Sequence, residues 1–557
     1  VVRQNIPALA KLSADTAVLY AIPSNFTSME SEAYRELDKQ WRSICRTVLG
    51  GEVGPLYDYG EWLSGLNDPL TIRKTPAGQS VVMTSGSYCS GAPVQDMANA
   101  DFMKRFEPLS INDMKDIDSL LSAVRQRAFY CGNITIGNSK FVESSSEVSD
   151  SFYVYQSVRI SGCKNVAYSQ WMRLSENIFG TNEGGETQHC IRCGIVYRNQ
   201  RSFELWIGSN TSDSYYSYGL EGCKDCIFCF NLVGKNCSIG NLALTRDKYR
   251  GLKTKLLSEL REELMEKRKL PSLIELVCLE KPDYSEAASL AKNLPPSLRD
   301  RDNSRLEGAF TAASSVVLGA PLKGIDSYSK WLSRHSTVPR DSKSVLSGTV
   351  LQVSDYPVMR ELPGNRIVTQ EEANLLGEKL VSFSGLPSSL SIFEAPALLS
   401  KIAYFPPERR TGTNSNLVAC QWGGQSMDCY KTCVASHDKC CGYNAWPRNS
   451  EHIFGSGLVF NSEFCFKCFD CVELRRCFEV DSGRGCSDTW FSHNVEGLQN
   501  ALFCFNTKSK RYAVGNAEVG PEQFAKAKKI VQDYVLAELK KGKDVPLSIY
   551  SVCPAKK

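Results

Sequence analysis

Trp171-Met-Arg-Leu-Ser-Glu-Asn-Ile-Phe-Gly180 and Trp446-Pro-Arg-Asn-Ser-Glu-His-Ile-Phe-Gly455 are two versions of one segment, set 275 positions apart. Phe228-Cys-Phe-Asn231 returns as Phe503-Cys-Phe-Asn506 at the same spacing. Between these anchors the register holds without a gap through Cys190/Cys465, Cys193/Cys468, Arg201/Arg476, Phe203/Phe478 and Gly240/Gly515. It continues through Pro271/Pro546, Ile274/Ile549 and Cys278/Cys553. Upstream, Tyr59-Gly-Glu-Trp62-Leu-Ser64 is echoed by Tyr328-Ser-Lys-Trp331-Leu-Ser333 at an offset of 269, so one insertion or deletion lies between the two zones. The chain reads as two copies of one unit joined end to end.

The centre of each copy, about 130–243 and 405–518, is a string of short β-compatible pieces broken by Ser, Asn, Gly and Asp. Cys190, Phe203, Tyr216 and Cys229 recur every 13 residues, as do Cys465, Phe478, Phe491 and Cys504. This pattern suggests stacked rows in a parallel β-helix or solenoid, with a β-sandwich of short strands as the alternative. Each copy then closes with an amphipathic helix, about 246–268 with Leu252, Leu256, Leu260 and Leu264, and about 521–541 with Phe524, Ala527, Val531 and Val535. The expected class is β-rich with peripheral helices (α+β). Its expected domains are an N-terminal helical segment 1–56, copy 1 over 57–278, a junction over 279–324 and copy 2 over 325–557. Helices are also predicted near 94–106 and 110–127, and Thr369-Gln-Glu-Glu372 is a capping box opening another.

Length alone, 557 residues, calls for more than one core. A hydrophobic fraction of 42% is globular, and a net charge of +4 gives no field that would favour nucleic acid or an anionic membrane. No apolar run approaches the roughly 20 residues of a membrane helix. The start Val1-Val-Arg-Gln4 carries no signal-peptide pattern, so the expectation is a chain made in the cytoplasm that has lost only an initiator Met. The Asn-x-Ser/Thr matches at Asn25, Asn133, Asn210 and Asn236 are accordingly set aside as glycosylation sites.

Among the 23 cysteines, Cys223-x-x-Cys226-x-x-Cys229 and Cys465-x-x-Cys468-x-x-Cys471 have spacings that zinc or an iron–sulfur cluster would accept. The other copy is an internal control. Leu498 and Ala501 stand opposite Cys223 and Cys226, and Val196 stands opposite Cys471, the exchange expected of buried hydrophobes. No metal site, cofactor or disulfide framework is assigned. His189, His437, His452 and His493 face Phe464, Gly162, Asn177 and Tyr218, so no histidine site is duplicated. Acids common to both copies are Glu176/Glu451, Glu204/Glu479, Asp213/Asp488 and Glu221/Glu496. They suit either a groove for polysaccharide or a set of turn caps and solvated edges. Tyr215, Tyr216 and Tyr218 suit core stacking or contact with sugars and bases. No catalytic residue is assigned.

Glu221-Gly-Cys-Lys-Asp-Cys-Ile-Phe-Cys-Phe-Asn231, followed by Gly240-Asn-Leu-Ala-Leu-Thr-Arg-Asp-Lys-Tyr249, resembles a family of cysteine-rich repeat proteins of unknown function. They occur in uncultured bacteria and environmental tailed phages, sometimes under a "CaiB/BaiF" label. Ala501-Leu-Phe-Cys-Phe-Asn506 and the helix from Pro521 share the pattern, which covers about a third of each copy, although several family-type cysteines are replaced here. The resemblance implies a non-enzymatic structural protein of a virion, capsid or tail, that assembles with itself and other structural proteins as a homo-oligomer. A cysteine-based redox or metal-binding protein and a carbohydrate-binding or carbohydrate-active solenoid are the alternatives.

Overall fold

In the stretch from Tyr130 onward, every third residue takes a left-handed backbone, as at Ser144, Glu147, Asp150, Tyr153, Gln156 and Arg159. The residue after each turns inward, giving Ser145, Val148, Ser151, Val154, Ser157 and Ile160, all buried. A computed structural model describes residues 31–295, 302–383 and 390–553 of the chain; the part of the 1–56 segment before residue 31 lies outside the described residues.

The resulting strands are about four residues long: Phe152–Tyr155, Val158–Ser161, Lys164–Ala167, Gln170–Arg173 and onward. Each pairs in parallel with the strand two places before it and two after, so Lys164 faces Phe152 and Glu176, and Gln170 faces Val158 and Asn182. The two alternating ribbons meet on Gln200–Ser209, whose first half pairs with Gln188–Ile191 and second half with Gly194–Tyr197, closing one 16-stranded sheet. A 14-stranded sheet built the same way runs from Arg409 to Glu518. The stacking step is 12 residues, not the 13 read from Cys190, Phe203, Tyr216 and Cys229: Cys190 faces Ile178 and Ser202. Residues 13 apart sit diagonally on adjacent levels, where large rings still touch, as Phe203 and Tyr216 do at 5.4 Å. A 13-residue step does open each series, at Thr135/Val148 and Arg409/Trp422.

Buried amides need partners, and the three-residue repeat supplies a different one to each position. The left-handed Gln156 donates back to Glu143 O at 3.2 Å, and Val158 donates forward to Ser169 O at 3.2 Å. The inward Ser157 between them donates to a side chain, Ser145 Oγ, at 3.0 Å. Ser157 in turn accepts from Ser169 N at 3.1 Å and donates to Tyr155 O at 2.8 Å. Ser169, Thr181, Thr187, Asn199 and Ser217 accept in the same way from the level above. Small polar residues therefore alternate inside with Val, Ile, Met and Leu, because the corner amide requires an acceptor and the strand position requires bulk.

Around these sheets lie the helices Glu32–Val48 and Ser304–Leu318, the hairpins Thr71–Lys74/Ser80–Met83 and Arg340–Lys343/Val350–Val353, and the closing helices Arg246–Lys267 and Pro521–Gly542. The Thr369 capping box is present, opening Gln370–Lys379. The helix predicted near 94–106 is instead the strand Val94–Asp96 and the 3-10 turn Met97–Asn99, because Val94 is drawn into a ladder with Tyr130. Of the 110–127 helix, Ile117–Arg125 forms. Ser304–Leu318, inside the stretch read as a junction, puts Phe310 against Phe454 and Phe466 of the second sheet.

Each sheet is completed by chain from the other half. Val81, Met83, Tyr88, Leu120 and Tyr130 share a core with Phe478, Trp490 and Phe505, while Leu351, Tyr356, Leu376, Leu399 and Phe405 share one with Phe203, Tyr218 and Phe230. The contacts are reciprocal. Asn231 Nδ2 donates to Tyr404 O at 2.9 Å and Asn506 Nδ2 to Phe129 O at 2.8 Å; Phe405 packs on Tyr218 and Phe230, and Tyr130 on His493 and Phe505. Where the two sheets meet, Trp171 stacks on Trp446 at 6.3 Å with ring planes 7° apart.

The corner rule makes a sharp prediction. Ser157→Ala strands the buried Ser169 amide and is expected to lower unfolding free energy by about 1–3 kcal/mol, whereas Ser157→Cys, which keeps a donor and an acceptor, stays within about 1 kcal/mol. Urea denaturation of both variants measures the difference.

Candidate functional site

The duplicated acids do not converge. Asp213 is held bidentately by Arg201, at 2.8 and 2.7 Å, and Asp488 by Arg476, at 3.0 and 2.7 Å, each pair spanning one 12-residue step. Glu176 and Glu451 meet Lys164 and Lys439 across the same step, at 4.0 and 3.1 Å. Glu221 pairs with Arg409 at 2.8 Å, and Glu496 is exposed. Glu204 is fully buried, accepting from Arg192 Nε at 2.6 Å, Trp206 Nε1 at 3.1 Å and Leu273 N at 3.0 Å. Burial raises its pKa, opposed by Arg192. Glu479 likewise accepts from Ile549 N at 2.9 Å, beside buried Lys467. This pair anchors the start of each C-terminal segment to its sheet.

The cysteine runs have an explanation in the three-residue repeat: Cys223, Cys226 and Cys229 occupy consecutive inward positions, as do Cys465, Cys468 and Cys471. Their thiols bond as the hydroxyls do. Thr187 Oγ1 donates to Gly185 O and Val196 O at 2.9 and 3.3 Å; Cys229 Sγ lies 3.3 and 3.4 Å from Ile227 O and Ser238 O, and Cys471 Sγ 3.0 and 3.4 Å from Phe469 O and Val480 O. Among the described residues no group of three or more His, Cys, Asp or Glu side chains is arranged to hold a metal ion. Tyr215, Tyr216 and Tyr218 are buried, their hydroxyls donating to Val48, Pro271 and Pro406 carbonyls. His493 is enclosed with both nitrogens engaged: Nδ1 lies 2.7 Å from Asp481 Oδ2, and Nε2 accepts from Cys131 N at 3.0 Å.

Unpaired polar groups gather instead in a cleft between the sheets, about 240 Å³ in volume, beside the Trp171/Trp446 stack. On one wall Arg173 runs over Gly185, where a Cβ would come within 2.9 Å of its Nε, and lays its guanidinium on the Tyr197 ring at 5.5 Å. Tyr197 donates to Glu183 Oε1 at 3.2 Å. Glu183 is only 4% exposed, and burial pushes its pKa up to about 7 against the opposing pull of Tyr197 and Arg173. The facing wall carries Trp422, Trp446, Arg409 and Arg448. Two buried donors here, Arg173 Nε and Trp446 Nε1, have no hydrogen-bond partner among the described residues.

None of these residues stands among the duplicated acids or cysteine runs of the sequence. A partial signal exists in the repeated Trp171-Met-Arg173 and Trp446-Pro-Arg448, which places an arginine of each copy at the cleft. Glu183 faces Leu458 in the other copy, so a search for duplicated acids passes it by.

Glu183 sets a pH dependence. Its folded pKa lies above the usual 4.5, so its contribution to stability is full below about pH 4.5 and is lost as pH rises through about 7. Urea denaturation should give a stability that falls over this window by up to about 3 kcal/mol, with Glu183→Gln flattening the fall. Compared with known protein families, curated proteins and solved structures, the chain matches none of them.

Proposed function

We propose that the chain is a non-enzymatic structural protein that assembles into a larger body, with the virion of a phage, capsid or tail, as the setting that its cysteine-rich repeat implies. Its fold, on this proposal, is a pair of parallel β-solenoid units of 12-residue coils, related by duplication and each closed by a C-terminal helix. The parallel 12-residue register favours coils over the hairpin-linked strands of a sandwich. One observation carries the structural role: each unit buries an apolar segment of the other half at matched positions, Phe405 against Tyr218 and Tyr130 against His493, which makes one interlocked block. The groups able to do chemistry support it too. Thiols bond carbonyls, six of the eight duplicated acids bridge successive coils or clasp helix starts, and His493 has no free nitrogen. Among the described residues no helix is long and apolar enough to cross a membrane.

Two measurements test this. Mass photometry of the purified protein is expected to give a defined multiple of the chain mass; a monomer at every concentration sinks the assembly role. A protease site inserted between residues 295 and 302 and cut in the native protein is expected to leave the two fragments co-eluting in size exclusion. Their separation without denaturant would rule out the interlocked block.

A further inference from the structure

The two sides of the Trp171/Trp446 stack are built on matching positions, yet they differ in one respect. On one side Arg159 meets Asp470 through two hydrogen bonds, 2.6 and 2.8 Å, its guanidinium 5.0 Å from the Trp171 ring, with the half-buried Glu147 nearby. The positions 275 apart on the other side hold Val434, Ile195 and Trp422, all lining the cleft. Apolar surface stands there in place of the charged set, and among the described residues Arg173 and Arg448 have no carboxylate within ion-pair distance.

We propose that this cleft binds an anionic monosaccharide, one bearing a carboxylate or a phosphate. Arg173 and Arg448, both lining the cleft and neither ion-paired among the described residues, call for an acceptor with negative charge, and Trp446 lines the same space. The Trp422 ring, fixed by its Nε1 donating to Pro407 O at 2.7 Å, supplies a flat apolar wall of the kind that takes a sugar face. Glu183, held by Tyr197, is placed to bond a ring hydroxyl. The volume, about 240 Å³, lies below the roughly 300–1,000 Å³ of sites for drug-sized ligands and suits a single sugar. A solenoid block that assembles into a larger body would in this way also carry a binding site, and the site stands whether or not the assembly forms.

Calorimetric titration of the full chain with galacturonate, galactose 6-phosphate and galactose decides the matter. At least one of the anionic sugars is expected to bind with a Kd of about 1 mM or below, with galactose weaker by at least about tenfold. The pattern between the two anions then says whether carboxylate, phosphate or either is taken. Arg448→Gln should weaken that binding by about tenfold to a hundredfold. Ser436→Phe, which fills the cleft and removes no charge, should abolish it, with thermal melting as the folding control for both. No binding of either anion up to about 10 mM, or binding unchanged in both variants, overturns the proposal.

Discussion

A left-handed residue at every third position is the constraint from which the rest of the structure follows. A non-glycine residue in that region costs on the order of 1–2 kcal/mol, and here Tyr153, Arg159, Ile195 and Ile207 all adopt it. Such a backbone persists only if each corner is repeatedly over-determined, and it is, by amides bonded to the levels above and below. The corner also decides what fills the interior. Inward amides such as those of Ser157, Ser169 and Thr181 bond a side-chain oxygen and not a carbonyl, so small polar residues recur among the inward positions.

That requirement separates what could be read in the sequence from what could not. The offset of 275 was legible because matching residues keep one spacing from Trp171/Trp446 to Cys278/Cys553, and the closing helices were legible because Leu256, Leu260, Val531 and Val535 fall on ordinary helical faces. The three-residue repeat was not, since Ser157, Ile160 and Cys163 share no hydropathy and most of the left-handed positions hold residues other than glycine. Rings drew attention to a 13-residue diagonal, while the 12-residue step is marked mostly by small polar residues. The Cys-x-x-Cys-x-x-Cys runs resemble metal ligands for the same reason: ligands and inward residues are both spaced by three. Of the cleft, only Arg173, Trp446 and Arg448 had any trace in the repeat.

The interlocking of the halves has an energetic side. Phe405 and Tyr130 are fully buried by contacts with sheet residues of the opposite half, so neither half completes its core with its own chain. Fully burying such a side chain is worth about 1.5–3 kcal/mol, and several are exchanged in each direction. Stability therefore belongs to the pair of sheets and not to either sheet separately.

The Trp171/Trp446 stack sets two residues 275 positions apart face to face, as a two-fold axis would in a dimer. In a dimer of identical chains, any substitution near such an axis is made twice, and both sides must accept it. Within one chain the matched positions are free to differ. Arg159 and Asp470 lock one side as a strut while Val434 and Ile195 leave the other side open, so likeness between the halves becomes raw material for specialisation and not an obligation.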